Sequence, residues 1–231
     1  MTTFPGRGAW TSVGKDNGAS DYIFIQGKPD DGSTPSKGLN YEAVNLGVRA
    51  IQKRLNFFST VPALVVDGDL GYNTSKAIKF FQSQNGLIVD GDCGPNTSKA
   101  LWKRLISNLE MTYGVMYHNL FGIALHESLL DAGAVGASTP GDRGLVQWNT
   151  ENSGLTIQEA HDPEYSLTKA AQRIRAAQTK YFGKGMELQI NCSIAQWNAP
   201  LWADQWFTNG TPPNDTISKY VADVLAAAKT F

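Results

Sequence analysis

Glu127 stands in a sequence setting that suits proton transfer. Three apolar residues precede it at helical spacing: Met116, Leu120 and Ile123. Glu127 thus continues the apolar face of a predicted helix that begins at about Thr112, and Gly133 and Gly136 predict where that helix stops. Apolar surroundings and the negative end of a helix dipole both disfavour an ionised carboxylate. These conditions favour a general acid that works near neutral pH, although most glutamates at helix ends are simply solvated.

The elements around Glu127 are predicted to be helices. Asp162-Pro163 suits the N-cap and first residue of one helix. Apolar residues recur at helical spacing in three segments, namely 167–181, 190–197 and 217–228. We therefore expect residues 110–231 to form one mainly helical domain.

A repeat dominates the preceding part of the chain. Val66–Ile78 recurs almost unchanged as Val89–Leu101. Each copy offers an Asp-Gly turn and then Asn-Thr-Ser, whose short oxygens suit a helix N-cap. Because apolar residues at helical spacing flank the copies, we predict a compact three-helix domain at residues 41–109. Composition alone fits a simple helical bundle equally well.

Residues 1–40 are rich in Gly, Ser, Asp and Pro and contain one strand-like run, Tyr22–Gln26. We interpret them as an N-terminal arm or linker. The fold class expected for the chain is mainly α, with a three-helix domain followed by a second helical domain.

The charge of the chain is nearly balanced, with 20 Lys and Arg against 21 Asp and Glu. Nucleic-acid binding through phosphates needs a clustered excess of basic residues, so we expect no nucleic-acid partner. The first residues lack the basic and apolar regions of a secretory signal, and no apolar run approaches the roughly 20 residues that span a bilayer. We expect neither a signal peptide nor a membrane span.

Cys93 and Cys192 are the two cysteines of the chain. They fall in different predicted domains, and neither belongs to a CxxC pair or to a cluster of His and carboxylates with metal-ligand spacing. We predict free thiols, no metal site, no cysteine nucleophile and no cofactor. The three histidines (His118, His126 and His161) show no partner pattern that indicates chemistry.

A series of short matches runs through the repeat region: Ile51-Gln52, Leu55, Val66-Asp67-Gly68, Gly71, Thr74, Ala77, Phe81-Gln82, Gly86-Leu87, Asp90-Gly91, Gly94-Pro95 and Thr97. In combination they resemble the peptidoglycan-binding domain of cell-wall hydrolases. The resemblance implies a module that binds bacterial peptidoglycan and does no chemistry. Its implied wall-binding residues are Asp67, Gly68, Gln82, Leu87, Asp90 and Gly91.

Four motifs follow in order after the repeat: Glu127-Ser128, Gly144-Leu145-Val146-Gln147, Ala195–Pro200 and Tyr220-Val221. Together they resemble lytic transglycosylases and goose-type lysozymes, although Val146, Trp197 and Pro200 replace that group's Met, Tyr and Gly. The resemblance implies a lysozyme-like, mostly helical catalytic domain. It would cleave the β-1,4 bond between N-acetylmuramic acid and N-acetylglucosamine, with Glu127 as the acid and base.

The same resemblance implies six substrate-binding residues: Ser128, Gln147, Trp148, Asn149, Asn198 and Tyr220. Structural alternatives stand beside four of these roles. Ser128 fits a helix-end cap, Gln147 a loop amide, Asn198 a helix C-cap and Tyr220 a core position. Trp148 is expected near the sugar groove, where an aromatic ring stacks on a pyranoside, and most of the other tryptophans in the core.

A second carboxylate decides the fate of the cut bond. The candidates are Asp131, Asp142 and Glu151, and Gly141-Asp-Arg-Gly144 resembles the form that goose-type lysozymes show at a water-positioning aspartate. Asn149 stands where those lysozymes have another aspartate. We therefore favour a lytic transglycosylase, in which Glu127 suffices and a 1,6-anhydro ring forms, over a hydrolytic lysozyme that positions water from Asp142.

A wall-binding module joined to a wall-cutting one without a leader resembles the modular endolysins of bacteriophages. We expect a monomer that stays in the host cytoplasm until it is released to the cell wall. A virion-associated lysin is an alternative setting. A wall-binding virion protein without catalytic activity is the alternative function.

Overall fold

A computed structural model describes residues 11–14, 20–24, 41–58, 63–136 and 141–231 of the chain. The described part contains nine α-helices: α1 (Tyr41–Phe57), α2 (Tyr72–Gln84), α3 (Pro95–Tyr113), α4 (Asn119–Ser128), α5 (Ile157–His161), α6 (Pro163–Lys180), α7 (Met186–Asn198), α8 (Pro200–Asn209) and α9 (Asp215–Ala228). The mainly α fold predicted from the sequence, with one helical region following another, is confirmed.

The described residues fall into two compact units. One lies within Met1–Trp102 and Ser128–Ser166, and the other within Lys103–Glu127 and Leu167–Phe231. The domain bounds of 1–40, 41–109 and 110–231 stay predictions.

The first unit contains α1 and the repeat, whose two copies run into the start of α2 and the start of α3. Its core residues are fully buried: Val48, Leu55, Leu70, Ile78 and Leu101. Burial of each such side chain contributes about 1.5–3 kcal/mol. This apolar core fixes the helices that carry the two repeated turns.

The first unit also contains a small antiparallel sheet in the order β1 to β5. Its strands are β1 (Thr11–Gly14), β2 (Ser20–Phe24), β3 (Val135–Gly136), β4 (Asp142–Arg143) and β5 (Trp148–Asn149). The described part of the strand-like run, 22–24, lies in β2, as predicted. Strands β3 to β5 were not predicted, because two residues are too few to show an alternating pattern.

The second unit packs α4 closely against α9. A Cβ atom on Gly122 of α4 would lie 2.6 Å from the carbonyl oxygen of Val224 of α9, so glycine permits this approach. Glu127 lies further along α4, and Tyr220 lies one turn before Val224 on α9. The close approach of the two backbones positions the ends of these two side chains.

The predicted start of the helix that carries Glu127 was wrong, and so were the residues predicted to stop it. The helix begins at Asn119 and not near Thr112, because Tyr117 and His118 have φ angles of 58° and 52° and cannot continue a right-handed helix. It ends at Ser128 because Leu129 and Leu130 are left-handed, with φ angles of 56° and 65°. The stop signal is therefore not Gly133 or Gly136.

Helices α5, α6 and α8 each begin at residues that suit the start of a helix. Asp162 caps α6, as predicted, through its Oδ1, which accepts from the backbone N–H of Glu164 at 3.0 Å. Pro200 opens α8, which was not predicted, and proline suits the first turn of a helix. Thr156 and Glu159 form a capping box on the short helix α5.

Candidate functional site

A buried glutamine holds the turn in the first copy of the repeat. Nε2 of Gln52 donates to Oδ1 of Asp67 at 2.8 Å and to the carbonyl oxygen of Asp69 at 3.0 Å. Oε1 of Gln52 accepts from the backbone N–H of Gly68 at 2.9 Å. Gly68 has a φ of +77°, a left-handed conformation that glycine adopts without strain. The Gln52 side chain therefore ties helix α1 to the turn.

The second copy repeats these contacts one for one. Nε2 of Gln82 donates to Oδ1 of Asp90 at 2.7 Å and to the carbonyl oxygen of Asp92 at 2.9 Å. Oε1 of Gln82 accepts from the backbone N–H of Gly91 at 2.9 Å. We call each set of contacts a glutamine clasp. Gln52 and Gln82 are both 1% exposed, so the glutamine side chains of the clasps lie out of water.

The clasps show where the predicted wall-binding residues lie. Gly68, Gln82, Asp90 and Gly91 all take part in a clasp, and the backbone N–H of Leu87 donates to the carbonyl oxygen of Gln82 at 2.9 Å.

Asp67 belongs to the first clasp and is ionised at neutral pH. The backbone N–H of Asp69 and the Gln52 side chain donate to its carboxylate, and these hydrogen bonds lower the pKa of Asp67. These six residues shape the module, and a direct contact of each with the wall stays a prediction.

Glu127 is hydrogen-bonded to Tyr220 within the second unit. The phenol of Tyr220 donates to Oε1 of Glu127 at 2.6 Å. Burial raises the pKa of Tyr220 well above its usual range, and the Glu127 charge raises it further. The phenol therefore remains a proton donor to the carboxylate across the working pH range. The structure thus brings together two residues that the sequence predicted as site residues.

Arg173 is a member of this group that sequence reasoning missed. Its Nη2 donates to the carbonyl oxygens of Gln196 and Trp197 at 3.2 Å each, and its guanidinium lies 4.7 Å from the centre of the Trp197 ring. Burial lowers the pKa of Arg173, and the electrostatic influence of Tyr220 opposes that shift.

The Arg173 contacts fix the end of α7. Asn198, a predicted sugar contact, is exposed at that end. It is the last helical residue, and the C-cap is Ala199. Arg173 belongs to no recognisable sequence motif. The sequence shows only that a long basic side chain lies next to the apolar residues of α6.

The first unit holds the other candidate carboxylate. Asp142 and Asn149 lie opposite each other in strands β4 and β5, and Nδ2 of Asn149 donates to Oδ1 of Asp142 at 3.0 Å. The departure from the goose-type pattern therefore places an amide donor against Asp142 instead of a second negative charge. Glu151 is exposed beside Gly141, where a Cβ atom would lie 3.1 Å from Cγ of Glu151.

Asp131, the third carboxylate considered, is buried in the turn after α4. Its Oδ1 accepts from the backbone N–H of Gly133 at 2.8 Å. Its position fits a structural role in that turn.

Three further predicted substrate residues make internal hydrogen bonds in the first unit. Oγ of Ser128 donates to the carbonyl oxygen of Leu145 at 2.8 Å, and Nε2 of Gln147 donates to that of Gly144 at 2.9 Å. The indole N–H of Trp148 donates to the carbonyl oxygen of Ser166 at 3.2 Å.

The Trp148 ring is 7% exposed and belongs to the core, like Trp197 and Trp206, whereas Trp202 is exposed. The ring therefore does not offer an open stacking surface. Sugar contacts of Ser128, Gln147 and Trp148 stay predictions.

Cysteines and metal ligands are other common sources of chemistry in a protein. Cys93 and Cys192 are free thiols, as predicted, and burial raises the pKa of each to about 12. Within the described residues no group of three or more His, Cys, Asp and Glu could hold a metal ion. No helix in that part of the chain is long and apolar enough to cross a membrane.

Residues 45–101 match the family described as peptidoglycan binding domain. This match confirms the wall-binding module predicted from the repeat, and the protein is peptidoglycan-associated. No curated protein and no solved structure matches the chain.

Proposed function

We propose that the protein cleaves the glycan strands of peptidoglycan with Glu127 as its acid and base, while the repeat module holds the wall. The observation that carries the proposal is the 2.6 Å hydrogen bond from Tyr220 to Glu127. Two side chains 93 positions apart meet there in the way that the ordered motifs imply. A buried phenol that donates to one oxygen of a carboxylate fixes the direction of the other oxygen, and a general acid needs such positioning.

The reaction starts with Glu127 in its protonated form. Glu127 gives its proton to the oxygen that links N-acetylmuramic acid to the next sugar, and the bond from C1 to that oxygen breaks. The Glu127 carboxylate then takes the proton of the C6 hydroxyl as O6 bonds to C1, which leaves a 1,6-anhydro end. This route needs one carboxylate, and Tyr220 stabilises its ionised form between the two steps.

Hydrolysis is the second candidate, and it would use Asp142 to position water. The amide of Asn149 donates to Oδ1 of Asp142 at 3.0 Å, and a carboxylate can accept several hydrogen bonds, including one from water. A goose-type lysozyme has a second carboxylate at that place, and the single negative charge here favours the transglycosylase route.

The biological setting proposed is that of a phage endolysin, a monomer that reaches the wall from the host cytoplasm. A virion-associated lysin is the alternative setting. A wall-binding virion protein without activity is the alternative function, and it shares the module at 45–101.

Mass spectrometry of muropeptides released from purified peptidoglycan tests the proposal. We expect soluble fragments that end in 1,6-anhydro-N-acetylmuramic acid. Fragments with reducing ends would instead establish hydrolysis, and Asp142→Asn would then abolish their release. Bound protein without released fragments would contradict cleavage and support the wall-binding alternative.

A further inference from the structure

The repeat module contains a cavity of about 620 Å³ between the loop at 63–71 and helix α2. Part of its wall is apolar, with the side chains of Leu64, Val65 and Phe80. Val65 is 75% exposed, although a valine contributes more to stability when it is buried. An open apolar cavity with a few charged groups is the usual form of a ligand site.

The two copies of the repeat differ at this cavity and not at their clasps. Tyr72 and Phe80 line the cavity of the first copy and are 67% and 50% exposed. The equivalent positions of the second copy are Pro95 and Lys103. Exposed aromatic rings add little to the core of a small domain, so their presence in the first copy alone indicates contact with a ligand.

Charged groups of both signs line the same cavity. Asp67 and Asp69 lie on the loop side, and Lys76 lies on α2. Asp67 is held ionised by the hydrogen bonds of the first clasp. The loop side therefore attracts an ammonium group, and Lys76 attracts a carboxylate.

We propose that this cavity binds the peptide stem of peptidoglycan, with the free amine of its diamino acid near Asp67 and Asp69. The small apolar side chains of the stem would lie against Tyr72 and Phe80, and a stem carboxylate would lie near Lys76. A neutral glycan has no charge to pair with the two carboxylates, whereas a stem peptide carries the matching charges. The inference deepens the peptidoglycan binding of the module and does not depend on Glu127.

Calorimetry with the full chain and a synthetic stem tetrapeptide that has a free diamino-acid amine tests this inference. Asp69→Asn should weaken binding about five-fold, because one charge-assisted contact is lost. Asp92→Asn is the matched control, since Asp92 holds the same position in the second copy and does not line the cavity. Acetylation of the peptide amine should weaken binding as Asp69→Asn does.

Tyr72→Ala gives a second test that leaves the charges intact, and about five-fold weaker binding is expected from the loss of ring contact. Circular dichroism would confirm that each variant folds. Absence of peptide binding to the parent chain, or equal effects of Asp69→Asn and Asp92→Asn, would overturn the inference. So would competition for the site by peptide-free N-acetylglucosamine oligomers. Loss of glycan cleavage in Glu127→Gln should leave peptide binding unchanged, which separates the two proposals.

Discussion

The repeat module and the helices around Glu127 use buried polar side chains of different kinds. In the module, Gln52 and Gln82 hold the turns through neutral amides. In the second unit, the buried phenol of Tyr220 donates to Glu127. There too, the buried carboxyl of Glu110 is hydrogen-bonded to Nδ1 of His118 at 2.8 Å, and burial raises the pKa of Glu110.

The two kinds of buried side chain suit different tasks, namely binding of the wall and transfer of a proton. An amide neither gains nor loses a proton near neutral pH, so the glutamine side chain of each clasp keeps one form there. A carboxyl group can give and take a proton while the phenol holds it in place, which is what glycan cleavage requires. The buried amides of the module therefore suit wall binding, and the buried contact of Tyr220 with Glu127 suits the cleavage proposed for the second unit.

The first prediction concerns the equivalence of the two clasps. Gln82→Ala should lower the free energy of unfolding by about 3 kcal/mol, because the Gly91 N–H and its neighbours lose their buried partner. Gln52→Ala should cost the same amount. The exposed Gln84→Ala is the control, with a change of about 0.5 kcal/mol or less. Urea denaturation followed by circular dichroism measures all three, and a large effect in one copy alone would break the equivalence.

The second prediction contrasts a buried imidazole with the neutral glutamine amides of the clasps. Nδ1 of His161 is hydrogen-bonded to the carbonyl oxygen of Ala132 at 2.7 Å, and burial lowers the pKa of His161 from 6.5 to about 4. Below pH 6.5, His161 binds a proton in the unfolded chain but stays neutral in the folded chain. The free energy of unfolding therefore falls as the pH drops towards 4.

The size of the His161 effect should be about 2 kcal/mol between pH 8 and pH 5. The free energy of unfolding of the parent chain and of His161→Gln, measured by urea denaturation across this range, gives the contribution as a difference. The variant should lose less stability on acidification. Parallel curves for the two chains would show that His161 does not titrate in this window.

The third prediction concerns the contact between Tyr220 and Glu127. Tyr220→Phe removes the phenol donor and keeps the ring, so the rate of wall lysis should fall about ten-fold. Because a hydrogen bond to the ionised carboxylate favours that form, its removal should move the pH profile of lysis to higher pH. A purely structural tyrosine would lower the amount of folded protein and leave the pH profile in place.

The sequence predicted the repeat module more completely than the site. Val66–Ile78 and Val89–Leu101 encode the same turn twice. The residues of each turn contact others nearby in the sequence, so a short stretch of sequence is enough to reveal the pattern. The family match at 45–101 confirms that prediction. Pairings over long separations leave no such pattern.

The contacts at the candidate site depend on such long separations. Glu127 and Tyr220 were linked by a family resemblance and not by spacing, and the position of Arg173 follows from tertiary packing alone. The start of α4 was misplaced because Met116 shares the apolar spacing of the helix but precedes two left-handed residues, a feature that hydrophobic periodicity does not report.

Release of soluble fragments from purified peptidoglycan by Glu127→Gln, compared with the parent chain, tests the central claim most directly. The amide keeps the size of the side chain and its hydrogen bond from Tyr220 but donates no acidic proton, so release should fall about a thousand-fold. Glu187→Gln, at an exposed glutamate of the same unit, should release fragments at the parent rate. Undiminished release by Glu127→Gln would contradict the proposed role of Glu127.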